Sequence, residues 1–406
     1  MNVLIAISII ILGFWGVNFT IWGTVGLIRL ISNKLFNQYV HVEPQDIITP
    51  ADVAIIVPAH NEELVIENTI KGIINLVPRE NIHIVTSDFE RKDRTADIAR
   101  AFGVTVVELP PPLAKASKLQ NTVNKLIDSK KFKAVLLVDA DTILAPDYLE
   151  KALPHFRDRD VVAVAGHAST LWEPEKNNWF NQFILSYRER VYYFGQLFIK
   201  FGQSWKYTNV CPIVPGFASV YRLSVLPYIN IDPGGLVIED FNMTFEVHHN
   251  NLGRIVYSPE VKAYTQDPDN LKDYFKQIKR WNLGFWQTVF RHGFWNSFFW
   301  YALIFFIFEV CFSTVTFLLL PFTIVLIFLN FGLNLPYEYE LLVKGVLVAD
   351  YILTIIIAVM QGRPRYLIFG LGFIFMRFVD SIAYLYSIPK AVFARSSGAW
   401  VSPTRR

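Results

Sequence analysis

From Phe298 to Asn330 the chain is almost entirely apolar. As one helix rising 1.5 Å per residue, it would be about 50 Å long, more than a bilayer core requires. A helix that is apolar all round must lie in lipid or be buried on every side. The pattern recurs elsewhere. Val3–Ile28 is broken mainly by Ser8, Asn18 and Thr20, Leu341–Met360 is long enough for a second C-terminal span, and Tyr366–Ile388 makes a third that carries Arg377 and Asp380. The chain is 52% hydrophobic and 18% charged, against about 25% charged in ordinary soluble domains. This excludes disordered, collagen-like and coiled-coil classes and, with the apolar residues clustered, argues against a wholly soluble one. A net charge of +3 argues against nucleic acid as the partner. Two cysteines, Cys211 and Cys311, provide neither a disulfide framework nor a four-cysteine zinc site.

The first segment reads as an uncleaved anchor. A signal peptide would begin with basic residues, and Met1-Asn2-Val3 has none. Arg29 and Lys34 then place the following chain in the cytoplasm by the positive-inside rule. The expected organisation is an anchor over 1–31, a cytoplasmic catalytic domain with interfacial helices over 32–293, transmembrane helices over 294–389 and a basic tail over 390–406. A possible break in the first C-terminal helix is marked by Pro321. Three C-terminal spans would put Lys390, Arg395, Arg405 and Arg406 outside, against the same rule, so the side of the tail stays open.

Between the apolar ends, short β-branched runs alternate with amphipathic patterns. The runs are Val53–Val57, Ile82–Val85, Val104–Val107, Ala134–Val138 and Val161–Ala165. Leu64, Ile66, Ile70, Ile73 and Ile74 read as one helix face, and Leu119, Val123, Leu126 and Ile127 as another. Asp93 is placed to cap a helix running to Ala101. This alternation predicts βαβ units and a largely parallel sheet, whose ligand crevice lies at the carboxyl ends of the strands.

Chemistry-bearing residues fall at those ends. Val135–Val138 runs into Asp139-Ala140-Asp141. On an extended chain residues i and i+2 face the same way, so both carboxylates would converge on a hard divalent cation and a bound diphosphate. The first strand runs into Pro58-Ala59-His60-Asn61-Glu62, and the second into Ser87-Asp88. Lys115 and Lys118 precede a helix, and Glu239-Asp240, following Pro233-Gly234-Gly235, is expected on an adaptable turn. Gln277, Arg280 and Trp281 stand at i, i+3 and i+4 on one helix face, combining an amide, a fixed cation and an indole suited to a phosphate and a sugar ring.

In this order and spacing, the motifs Pro-x-x-Asn-Glu, Asp-x-Asp, Glu-Asp and Gln-x-x-Arg-Trp resemble the membrane-embedded family 2 glycosyltransferases, among them hyaluronan, cellulose and chitin-oligosaccharide synthases. The resemblance covers roughly residues 53–284. It implies an α/β GT-A (Rossmann-like) catalytic domain, with about one N-terminal and three C-terminal transmembrane helices. It also implies an inverting reaction on a nucleotide-diphosphate sugar, expected to be UDP-linked, with Mg²⁺ or Mn²⁺. By resemblance Ala59, Asn61, Glu62 and Asp88 would line the nucleoside pocket. Lys115 or Lys118 would meet the diphosphate, Asp139 the ribose or metal, and Asp141 the metal. Asp240 would be the general base beside Glu239. Gln277, Arg280 and Trp281 would hold the diphosphate and acceptor, and Val210–Arg222 would be the acceptor-side loop. One departure is plain: Ser87-Asp88-Phe89 stands where the family usually has Asp-Asp-Gly-Ser.

The expected product is a β-linked poly- or oligosaccharide made at the plasma membrane. Expected partners are a nucleotide sugar, a glycan or lipid-linked acceptor and membrane lipids, with a homo-oligomer left open. Transfer of a single sugar to a lipid acceptor is the alternative. A catalytically dead subunit would have lost a key carboxylate, whereas Asp139, Asp141 and Asp240 are present. Three further readings concern polar groups. His248-His249 is structural rather than metal-binding. Arg188 and Arg190, in the aromatic segment Trp179–Phe201, either face lipid headgroups or accompany sugar-stacking rings. Glu309, Asp350, Arg377 and Asp380 either pair with one another, Arg377 with Asp380, or line a polymer path.

Overall fold

The structure is a computed structural model that describes residues 16–35, 47–86, 93–110, 114–172, 178–329 and 337–393. Helix α1 (Gly16–Leu35) precedes the catalytic domain. The expected anchor upstream of Gly16 lies outside the described residues, as does Asp88.

Strands β1 (Val53–Pro58), β2 (Ile82–Thr86), β3 (Thr105–Glu108) and β4 (Ala134–Val138) form a parallel half-sheet in the order β3-β2-β1-β4. The runs read from the sequence coincide with them because each is rich in β-branched or apolar residues, and β1 and β4 are buried along their whole length. The other half departs from expectation. Strands β5 (Thr142–Leu144), β6 (Val161–Thr170), β7 (Ala218–Arg222) and β8 (Arg254–Thr265) extend the sheet in the order β4-β7-β6-β8-β5. Strand β7 runs antiparallel to both β4 and β6, and β5 antiparallel to β8. The eight-stranded sheet is therefore mixed.

Two apolar layers sandwich it. Helices α2 (Ile66–Ile73), α3 (Thr95–Ala101) and α5 (Tyr148–Ala152) close one face with Ile66, Ile70, Ile73, Ala99 and Tyr148. Helices α4 (Lys115–Ser129) and α7 (Glu239–His249) close the other with Leu119, Val123, Leu126, Met243 and Val247. Each fully buried Leu, Ile or Val contributes about 1.5–3 kcal/mol. Leu64, expected on the α2 face, lies before the helix and is exposed. Asp93, expected as the cap, stands one residue before the N-cap Arg94, and its carboxylate accepts from the Thr95 N–H (3.1 Å) and hydroxyl (2.7 Å) at the first helical residue.

Helix α6 (Trp179–Tyr193) continues through a π-helical segment, Phe194–Lys200. Helix α8 (Leu271–His292) leads into α9 (Phe298–Leu329), followed by α10 (Tyr337–Gln361), α11 (Arg365–Phe369) and α12 (Phe373–Phe393). Three stretches, Phe298–Leu326, Val343–Gln361 and Arg365–Phe393, are long and apolar enough to cross a membrane. Helix α9 runs unbroken through Pro321.

The ionic groups of this region pair differently from expectation. Arg377 meets Asp350 (3.2 Å), not Asp380; Asp380 instead accepts hydroxyls from Tyr187 and Tyr274, both at 2.7 Å. Arg190 also meets Asp350, at 2.6 Å, and is buried. Of the two readings of Arg188 and Arg190, the one that faces them to lipid headgroups is thus corrected: both point into protein, where they meet buried carboxylates. Glu309 accepts from the backbone (2.7 Å) and side-chain (2.9 Å) N–H groups of Asn18. His248 contacts the Cys211 carbonyl oxygen at 2.9 Å and stacks on Phe299, a structural role.

Candidate active site

The carboxyl ends of β1, β2 and β4 lie at one edge of the sheet, and β7 enters from that edge, with Ala218 opposite Val138. Four segments meet there. The first is Asp139-Ala140-Asp141. The Asp139 N–H donates to the Phe217 carbonyl oxygen (3.0 Å), and the Thr142 N–H donates back to the Asp139 carbonyl oxygen (3.1 Å). The two acids therefore sit on a turn rather than on the extended strand expected for them. The Thr69 hydroxyl pins this turn by donating to the Ala140 carbonyl oxygen at 2.7 Å.

Lys115 begins α4 and joins the two acidic motifs. Its Nζ lies 2.7 Å from Asp139 Oδ1 and 2.8 Å from Glu239 Oε1. Although burial works against the charge, Asp139 and Glu239 hold the Lys115 ammonium well above the ordinary lysine range. Glu239 and Asp240 do not lie on the adaptable turn expected for them: they open α7, where the helix dipole favours acids. Asp240 accepts from the N–H groups of Phe241 (2.7 Å) and Gly216 (3.3 Å). Burial, then the neighbouring Glu239 charge, push its carboxyl up to about 6 against the opposing pull of Lys115.

Gly216 brings the loop before β7 into the cluster. A Cβ there would sit 3.4 Å from Glu239 Oε1, 3.6 Å from Lys115 Nζ and 3.7 Å from Asp240 Cβ. Lys115, Asp139 and Glu239 are thus in direct contact, and Gly216 joins Asp240 to them.

Lys118, one turn further along α4, is fully buried and donates to the Ala59 carbonyl oxygen (3.4 Å). It supports the loop after β1 from beneath, whereas Lys115 faces the acids. In that loop Asn61 adopts a left-handed φ of 56°. Glu62 is buried, and its N–H donates to the Thr95 hydroxyl at 2.9 Å. Burial, then Lys118, lower the His60 pKa below its usual value.

Gln277 and Trp281 on α8 share a partner that the sequence reading did not assign to the site. Arg188 is fully buried; its Nη2 donates to Gln277 Oε1 (2.7 Å) and its Nε to Asp267 Oδ1 (3.1 Å). The guanidinium carbon lies 4.0 Å from the Trp281 ring centroid and 4.8 Å from that of Tyr192. Asp267 also accepts hydroxyls from Tyr192 (2.7 Å) and Thr170 (2.9 Å). Arg280 is exposed, so only Gln277 and Trp281 of the motif share this partner. A local hint existed in Arg188-Glu189-Arg190, a charged triplet inside an otherwise apolar and aromatic run. Its partner, Asp267, lies far along the chain.

Helix α8 reaches the acid cluster through Gly284. A Cβ there would stand 2.8 Å from Ile238 Cβ, and Gln287 accepts from the Val237 N–H at 3.0 Å. The chain entering Glu239-Asp240 therefore rests on the helix that carries Gln277 and Trp281.

Residues 134–335 match the family model described as glycosyl transferase family group 2. The chain carries a family 2 glycosyltransferase domain. It is 26% identical over 299 residues to the probable glycosyltransferase YdaM of Bacillus subtilis (strain 168), covering 71% of this chain and 68% of that one. It is 27% identical over 257 residues to the hyaluronan synthase of Streptococcus pyogenes, covering 58% of this chain and 57% of the synthase, so the match spans little more than half of that relative. The solved structure of the mannosyltransferase PcManGT from Pyrobaculum calidifontis, in complex with GDP-Man and Mn²⁺, superposes with a TM-score of 0.50 at 16% identity, over 97% of this chain and 99% of that one. The glycosyltransferase expectation and the GT-A fold with C-terminal apolar helices are borne out.

Proposed function

We propose that this glycosyltransferase is an inverting membrane enzyme, its catalytic domain cytoplasmic, which takes a UDP-linked sugar and builds a β-linked poly- or oligosaccharide. The observation that carries the reading is Lys115 held between Asp139 and Glu239, with Asp240 alongside. A single displacement at an anomeric carbon needs a base for the acceptor hydroxyl and positive charge against the departing diphosphate. Asp240 fits the base role, since a carboxyl raised to about 6 is a stronger proton acceptor than an ordinary aspartate yet ionised at neutral pH. Lys115 supplies fixed positive charge, and Glu239 holds it in place. Gln277 and Trp281, steadied by Arg188, offer an amide and a ring face to the acceptor, while Arg280 remains exposed for the diphosphate.

Asp139 and Asp141 fit Mg²⁺ or Mn²⁺ as hard oxygen donors on a turn at the strand edge. Among the described residues, no group of three or more His, Cys, Asp or Glu side chains could hold a metal ion. The remaining ligands would come from diphosphate and water, which suits Mg²⁺ or Mn²⁺ arriving with a nucleotide. When bound, the ion would neutralise charge on the leaving diphosphate. The PcManGT complex with GDP-Man and Mn²⁺ supports this donor class.

One observation favours transfer of a single sugar to a lipid-linked acceptor instead. Beside α9 and α12 lies a cavity of about 290 Å³ whose wall includes Asn282, Glu309, Arg377 and Asp380. That volume suits one sugar or a headgroup rather than a growing polymer. The test is to give full-length protein in lipid a panel of radiolabelled nucleotide sugars with Mn²⁺, and to size the products. Long products from a UDP-sugar support polymer synthesis; a single lipid-soluble labelled product establishes the second reading. No incorporation from any donor, with or without lipid acceptor, overturns both.

A further inference from the structure

We propose that a basic basin between the end of α1 and the β6–β8 side of the catalytic domain is a second, non-catalytic site that binds a phosphate group. The cavity measures about 360 Å³, and among the described residues its wall sets Arg29, Arg157, Lys206 and Arg254 against the carboxylate of Asp158, with His155 and Trp205 between them. Asp158 is already ion-paired with Arg254. The wall therefore keeps an excess of positive charge.

Part of this wall is built rather than merely exposed. Arg29 Nη1 donates to the Phe201 carbonyl oxygen (2.6 Å) and the Ser204 hydroxyl (3.1 Å), and its guanidinium lies 4.0 Å from the Phe201 ring centroid. Three anchors hold the cation in place, so a ligand meets a preorganised charge. Arg157 and Lys206 are exposed at the mouth, where they can close on an anion. Burial, and then the Arg29 charge, lower the His155 pKa to about 4, so it presents a neutral imidazole at physiological pH.

The position of the basin indicates where the phosphate comes from. Asn18 of α1 grips Glu309 of α9. Arg29 lies eleven residues beyond Asn18, and Phe298 eleven residues before Glu309. Both intervals rise about 16 Å at 1.5 Å per residue. Arg29 thus stands level with the start of the first membrane-capable helix, and Trp205 beside it suits the headgroup layer. An anionic lipid headgroup and a soluble phosphate share the required chemistry.

The site is tested with full-length wild type and the Arg157→Glu/Lys206→Glu double variant, both remote from the acid cluster. In one arm, native mass spectrometry counts phosphatidylglycerol retained in preference to phosphatidylcholine. In the other, inorganic phosphate is titrated against thermal unfolding in lipid-free detergent. Wild type is expected to retain phosphatidylglycerol with an affinity on the order of tenfold above the variant, with transfer activity unchanged by the substitutions. Protection by phosphate that the variant lacks would keep the site and assign it to a soluble phosphate. Equal behaviour of wild type and variant in both arms overturns the proposal.

Discussion

At the residue scale, the site divides into groups that face one another across the strand edge and groups that hold them. Asp240 belongs to the first kind. Its carboxyl is pushed up to about 6, so transfer should rise with pH through that value as the base ionises. The linkage sign runs the other way for stability. A carboxyl raised above its unfolded value contributes fully below the usual aspartate range, and that contribution disappears as pH rises through about 6. Asp240→Asn should therefore bind donor normally, lose about 10²–10⁴-fold in transfer, and unfold at higher temperature than wild type above pH 7. Full transfer by a well-folded Asp240→Asn protein would remove Asp240 from the base role. Arg188 belongs to the second kind. Lysine keeps the charge but loses the planar fork that bonds Gln277 and Asp267 while stacking on Trp281. Arg188→Lys should raise the acceptor KM by on the order of tenfold and leave the donor KM near wild type. Equal changes in both constants would point to general loosening instead. The acids and Lys115 were legible in the sequence because they follow an apolar strand, a glycine-rich turn or a break before an amphipathic pattern, although the helix that Glu239 and Asp240 open was not. Arg188 was not, because its meaning depends on Asp267 and α8, and no local pattern announces that meeting.

At the element scale, the same division separates the parallel half-sheet from the rest. Strands β1 and β4 are continuous apolar runs and β2 and β3 short β-branched ones, so local composition suffices to find them. Strands β5, β7 and β8 escaped the sequence reading. Strand β5 is only three residues long, β7 mixes Ser219 and Arg222 with its apolar residues, and β8 is interrupted by Ser258-Pro259-Glu260 with a broken register against β6. Their pairing is long-range, so the turn at Asp139–Asp141 and the antiparallel entry of β7 were invisible too. Helix α8 then adds an element-level constraint. Gly284 lets it approach the Ile238 side chain at a distance no larger residue allows. Gly284→Ala should strain the entry to Glu239-Asp240, costing about 1–3 kcal/mol as an overpacked contact and lowering kcat. Adding Ile238→Ala should recover part of both. Thermal unfolding and initial rates on the single and double variants measure this, and an unaffected single variant would show that α8 does not set the position of the acid pair.

At the scale of the whole molecule, catalytic domain and membrane-capable helices are fastened by buried charge as well as apolar packing. Arg190 on α6 and Arg377 on α12 both meet Asp350 on α10, at 2.6 and 3.2 Å. Tyr187 on α6 and Tyr274 on α8 both donate to Asp380 on α12. Buried ion pairs add little net stability over apolar packing, but removing one partner strands the other charge. Here that partner is shared, so Asp350→Ala strands two guanidiniums together. The expected cost is about 3–5 kcal/mol, read as a lower unfolding temperature in detergent. The lesion should also reach the active site, because α6 carries Arg188 two residues before Arg190 and Arg188 holds Gln277 and Trp281. Asp350→Ala should therefore raise the acceptor KM even though Asp350 lies in a membrane-capable helix, whereas Asp350→Asn, which can still accept a hydrogen bond from Arg190, should recover a measurable part of both losses. An Asp350→Ala protein with wild-type unfolding and wild-type acceptor KM would mean that the helices and the catalytic domain are joined by apolar contact alone.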